Sequence, residues 1–198
     1  FGTLGVMGLV LMLLVSAVAM PVMAAPTDPT KTGTSTPGMD STNGVVVASD
    51  GTKYVYGDTN GDFTSGGGAV IEIAPDGTTT QYNTSNGNAV TAAALSPDGS
   101  TLYMAHSNVS AINLSDGSTA WQYTGSSYVP ALATSSGTVY ASTGSGSSAT
   151  VRALSASDGT ESWSHTLHSN TVRDLVFNNG FVYSGTRTGS VIAYDTFS

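Results

Sequence analysis

The sequence predicts a mainly-β fold of about four repeated units, the last incomplete, carried on a long hydrophobic N-terminal α-helix. Three observations lead there. From Gly44 onward, short runs of β-branched and aromatic residues alternate with Gly, Asn and Asp turns. The runs align with one another at a spacing of about 40 residues. Phe1 to Ala25 is apolar and uncharged, the first charge being Asp28.

The repeats carry most of the fold prediction. One strand recurs as Tyr54-Val55-Tyr56-Gly57, Leu102-Tyr103-Met104-Ala105, Val139-Tyr140-Ala141-Ser142 and Val182-Tyr183-Ser184-Gly185. The next recurs from Ala69 to Ile73, Val109 to Ile112, Val151 to Leu154 and Val191 to Tyr194. An Asp-Gly turn follows at Asp76-Gly77, Asp116-Gly117 and Asp158-Gly159, and Trp121 and Trp163 come after the last two. The aligned tyrosines Tyr56, Tyr103, Tyr140 and Tyr183 are spaced by 47, 37 and 43 residues. Four short strands per unit at that period is the pattern of a β-propeller blade. The fourth unit stops after its third strand, so a ring closes only if an early segment or another chain supplies the missing one. An uncovered edge strand invites association.

Residues 111–123 and 153–165, each running from an Ala-Ile or Ala-Leu pair through Ser-Asp-Gly to Trp, resemble the quinoprotein-like propeller repeat. Leu95 to Tyr103, with Ser96-Pro97-Asp98-Gly99 at its centre, resembles the related YVTN-type repeat. The resemblance implies a propeller, with each Trp on an outer strand wedged between neighbouring blades. It implies no activity, since propellers serve many functions.

Composition narrows the partners. Five Lys+Arg against thirteen Asp+Glu give a net charge of −8, which argues against nucleic acid and anionic headgroups. Charged residues make up 9% of the chain, against roughly 25% in an average soluble domain, so Ser, Thr, Asn and Gly supply the polar surface. Such a surface suits an extracellular protein. The chain has no Cys, which excludes disulfides, thiolate metal sites and a lipidated N-terminal Cys.

Residues 1–25 form a first segment, 26–43 a Pro/Thr/Ser-rich extended linker and 44–198 the repeat domain. A helix of the first segment spans ~38 Å, enough to cross a bilayer core. Gly2, Gly5 and Gly8 leave a groove for close helix packing. One reading is a cleaved signal peptide ending near Val22-Met23-Ala24-Ala25. The other follows from Phe1-Gly2-Thr3-Leu4 leading into an apolar run without a basic leader, which resembles type IV pilins and archaellins. Gly5 stands where most bacterial pilins carry Glu, so the resemblance points to an archaeal filament. It implies self-association through the helix, with the membrane as the site before assembly.

Asp58, Asn60 and Asp62 place oxygen side chains at alternate positions, as calcium loops do, although Phe63 and Ala69 depart from an EF-hand. The alternative is a plain Asn-Gly turn. His106, His165 and His168 read as solvated or turn residues. Asn83, Asn108 and Asn113 head N-glycosylation sequons. No nucleophile–base set is recognisable, so an enzyme is not expected and no cofactor beyond calcium is called for. The expectation is an extracellular filament subunit whose β domain serves adhesion to a glycan or cell-surface partner. The alternative is a membrane-anchored or secreted binding propeller.

Overall fold

The computed structural model describes residues 38–60, 67–85, 87–126, 128–167 and 170–197, all within the compact unit Thr36–Ser198. The expectations for Phe1 to Ala25, with Gly2, Gly5 and Gly8, fall outside these residues.

The strands form four antiparallel meanders. The first blade is β1 (Ser41–Val47), β2 (Lys53–Asp58), β3 (Gly68–Ile73) and β4 (Thr79–Asn83). The second is β5 (Ala92–Leu95), β6 (Thr101–Ala105), β7 (Val109–Asn113) and β8 (Thr119–Tyr123). The third is β9 (Ala131–Thr134), β10 (Thr138–Thr143), β11 (Ala149–Ser155) and β12 (Glu161–Leu167). The fourth holds only β13 (Val172–Asn178), β14 (Phe181–Thr186) and β15 (Val191–Asp195). The described residues therefore form a mainly-β, four-bladed propeller arc whose last blade shows three strands.

Turn chemistry sets these strands. At Asp50, Asp76, Asp98, Asp116 and Asp158 a carboxylate oxygen accepts the backbone N–H two residues on, at 2.9 to 3.1 Å. The intervening glycines sit at φ between +72° and +90°, a region L side chains avoid. These turns join first to second or third to fourth strands, so all five lie at one end of the blades. In the fourth blade Asn179-Gly180, both at positive φ, make the corresponding hairpin turn.

The blades stack by unlike faces. Strand alternation puts Tyr103, Ala111 and Trp121 in one row across β6, β7 and β8. This row packs on Leu132, Val139, Ala141 and Leu154 of the third blade. In the same way Tyr140, Ala153 and Trp163 face Leu175, Phe177, Val182 and Tyr194 of the fourth. In the first blade Tyr56, Val70 and Tyr82 form the equivalent row against Leu102, Met104 and Ile112. Tyr82 thus stands where the later blades carry Trp. The first strands β1, β5, β9 and β13 follow one another about an axis. Burial, and then the Asp174 carboxylate of β13, push the Tyr56 phenol up.

Two expectations change. The propeller begins earlier than Gly44: β1 opens at Ser41, inside the segment read as linker, and Asn43 Nδ2 donates to Val90 O at 2.8 Å. Among the described residues no early strand completes the last blade either, because β1 is the first strand of its own sheet, paired with β2.

Candidate interaction surface

The surface that stands out is the far side of the fourth blade, and the repeat itself shows why. Between the second and third blades the equivalent face is sealed. The Tyr103 and Trp121 rings pack at 5.8 Å, and Trp121 Nε1 donates to Ala156 O of the next blade at 2.9 Å. The Tyr123 hydroxyl donates to Glu161, and Arg152 lies over the Tyr123 ring while paired to Glu161 at 2.6 Å. These cross-blade bonds satisfy the polar tips of aromatics whose bodies are buried.

Register places Tyr183 and Ala193 of the fourth blade in the row of Tyr103–Ala111 and Tyr140–Ala153. Nothing covers them among the described residues. Tyr183 is 36% exposed, against 3% for Tyr103 and Tyr140. Val191 is 74% exposed, whereas Val109 and Val151, its counterparts, are at 0%. Val176 and Phe181 share this face and are exposed too. The outer edge of β15 presents extended backbone where β8 and β12 pair in the second and third blades. Beside it, Trp163, His165 and Tyr194 line an open groove of about 320 Å³. Trp163 and Tyr194 stack there at 6.0 Å.

The residues singled out from sequence distribute differently. The Oδ1 atoms of Asp58 and Asn60 converge beside Gly67, whose position a Cβ would fill, and Asp58 Oδ1 accepts the Asn60 N–H at 3.0 Å. Asp62 lies outside the described residues. Among the described residues no three His, Cys, Asp or Glu side chains cluster as a metal site, and no helix is long and apolar enough to cross a membrane. Asn83 is exposed on β4, where its Oδ1 accepts from Gln81. Asn113 Nδ2 donates to Ser118 Oγ. Asn108 is half-buried, and the Val109 and Ser110 of its sequon are buried. His165 is exposed on β12 and His168 lies outside the described residues.

His106 does lie in the turn between β6 and β7, but it is buried there rather than solvated, at 1% exposed. Its Nδ1 accepts the Asn108 N–H at 3.3 Å, so the ring proton belongs on Nε2, which donates to Ser110 Oγ at 3.2 Å. Gln122 Nε2 donates to the same oxygen at 3.0 Å. A histidine that gives its proton to a serine cannot also act as that serine's base, so the pair is structural. The sequence carries no signal for it beyond its place between the buried strands β6 and β7.

Fold and repeats together define a β-propeller of quinoprotein-like repeats. The chain belongs to the family whose model is described as outer membrane protein assembly factor BamB, which matches residues 25–171 and again 105–198. A search of curated proteins finds no match. Among solved structures, the computationally designed Ika4 protein superposes with a TM-score of 0.63 at 16% identity, over 78% of this chain and 91% of that one. A chain of the mitotic checkpoint complex superposes with a TM-score of 0.64 at 15% identity, over 93% of this chain and 60% of that one. At those identities the likeness is one of fold.

Burial lowers the His106 pKa from 6.5 to about 4. The unfolded chain therefore binds a proton there between those values and the folded one does not, so stability rises with pH across that window. Chemical denaturation should show the contribution complete above about pH 6.5 and lost on acidification toward pH 4, by up to about 3 kcal/mol. In His106→Gln that pH dependence should flatten. An unchanged profile in the variant would contradict the assignment.

Proposed function

We propose that this chain is a non-catalytic propeller module that works outside the cytoplasm, tethered to the membrane by the Phe1–Ala25 segment, and holds a protein partner on its fourth blade. The observation that carries the proposal is the exposure of Val191 at 74% where its repeat counterparts are fully buried. An apolar face of this kind, next to an unpaired strand edge, suits a protein partner, which can cover the face and extend the sheet. The family description as an assembly factor agrees with a role in holding other proteins. The low charge and Ser/Thr/Asn-rich surface support an extracytoplasmic location. A benzoyl-phenylalanine photo-cross-linker at Tyr183, in the cells that make the protein, should give discrete adducts, whereas one at exposed Thr80 of β4 should not. No adduct at Tyr183, or the same products at both positions, would overturn the reading.

A second reading, the subunit of a pilus- or archaellum-like filament serving adhesion, is favoured by the uncharged run from Phe1 to Ala25 with Gly2, Gly5 and Gly8 at intervals of three. It predicts ordered fibres of the purified protein in negative stain, lost in a Gly5→Leu, Gly8→Leu double variant. Detergent-soluble monomers alone would sink it.

A further inference from the structure

We propose that the cleft between the second and third blades is a binding site for a neutral saccharide, held by hydroxyl groups and one carboxylate. It stands apart from the fourth-blade reading and uses none of the residues of that face.

The cleft follows from unequal turns. The first hairpin turn spans 48–52 in the first blade and 96–100 in the second, five residues each. In the third blade only the three residues 135–137 separate β9 from β10. The longer turn of the second blade therefore stands beside a shorter neighbour. A cavity of about 440 Å³ lies there, within the size range of small-ligand sites. Its walls come from the second and third blades, whose shared junction is packed beneath it. At the floor Trp121 Nε1 donates to Ala156 O at 2.9 Å, and Ala156 N donates to Gly137 O at 3.0 Å. Thr134 Oγ1 ties the same two blades by donating to Leu95 O at 2.9 Å. These backbone groups are satisfied, so side chains supply the chemistry open to a ligand.

That chemistry is narrow. Ser96, Ser100, Thr101, Ser135, Ser136 and Ser157 bring hydroxyls to the cavity, each able to donate and to accept. Asp98 brings a single charge, and no Lys, Arg or His lines the cavity. Asp98 Oδ1 accepts the Ser100 N–H at 3.1 Å as well as the Ser96 hydroxyl. Its Oδ2 is met only by Ser100 Oγ at 3.0 Å and keeps acceptor capacity. Hydrogen bonds from Ser96 and then Ser100 hold this carboxyl below its usual range, so it is ionised at neutral pH. Pro97, Tyr103 and Ala156 add apolar surface. An anion would face Asp98 with no cation to offset it, and a wholly apolar ligand would desolvate the hydroxyls without pairing them. A sugar fits both limits. Its hydroxyls pair with the serines, the threonine and the carboxylate, and its C–H face lies on the apolar surface.

Saturation-transfer difference NMR on the full-length chain tests this, with glucose, galactose, mannose, N-acetylglucosamine, maltose and cellobiose as probes. At least one sugar should give a signal, and titrating it should give a Kd. Asp98→Asn keeps an acceptor for the Ser100 N–H and should weaken that sugar about ten-fold. Gly137→Trp should abolish the signal. A Cβ at Gly137 meets nothing within 4 Å and its φ lies outside the left-handed region, so the ring enters open space without disturbing the turn. Asp50→Asn, in the corresponding turn of the first blade, should leave the Kd unchanged. An unaltered thermal transition checks that each variant is folded. No signal from any of these sugars overturns the inference, and so does a signal from choline alone. Binding that survives either Asp98→Asn or Gly137→Trp undiminished overturns it too. Cross-links at Tyr183 without a sugar signal would remove only this site, and a sugar signal without cross-links would remove only the fourth-blade reading.

Discussion

A three- or four-stranded blade of this chain cannot bury both of its faces alone. Each Tyr and Trp row needs the apolar face of the next sheet, and much of the structure is arranged to bring the two together. Tyr103 and Trp121 span the second blade, and the Trp121 indole N–H finds its acceptor, Ala156 O, only on the following blade. Gly159, at φ +73°, leaves room for that ring, since a Cβ there would press on Trp121. Small residues such as Ala92, Ala131 and Ala133 fill the first strands, where neighbouring sheets come closest to the axis. Thr91 Oγ1 to Val129 O at 2.6 Å and Thr134 Oγ1 to Leu95 O at 2.9 Å tie one blade to the next at that inner rim.

This dependence gives the ends of the arc their character. An interior blade is covered on both sides, whereas Tyr183 and Val191 of the fourth are exposed on a face that no blade covers among the described residues. The residues at the uncovered faces are the same types as those inside, so the surface there is apolar by inheritance from the repeat. The Asp-Gly-Ser/Thr turns, by contrast, are exposed and self-contained. Their aspartates are held below the usual carboxylate range, mainly by hydrogen bonds from the Ser or Thr two residues on. They fix strand ends.

Much of the architecture was legible in the sequence because the turn residues and the Tyr and Trp positions recur in register with it. Asp76-Gly77, Asp116-Gly117 and Asp158-Gly159 fall at the turns they predict, and both tryptophans lie on outer strands packed against the next blade. The first strands were not legible. Ala92–Leu95 and Ala131–Thr134 are short and Ala-rich, with little β-propensity, and Ser41-Thr42-Asn43 carries the polarity of the linker before it. Tyr82 was hidden as the counterpart of Trp121 because β7 and β8 contain a bulge that β3 and β4 lack. The interaction surface was invisible for a deeper reason. Val109, Val151 and Val191 are one residue in one pattern, and only their packing separates a core position from an open face. The burial of His106 in its turn was not legible because nothing in its neighbours' types announces it.

Hydrogen exchange read by mass spectrometry tests the central claim most directly, by comparing β15 with its counterparts β7 and β11. If blade-to-blade cover is what holds each sheet, amides of Val191–Asp195 in dilute protein should exchange much faster than those of Val109–Asn113 and Ala149–Ser155. Equal protection of all three strands would contradict the account.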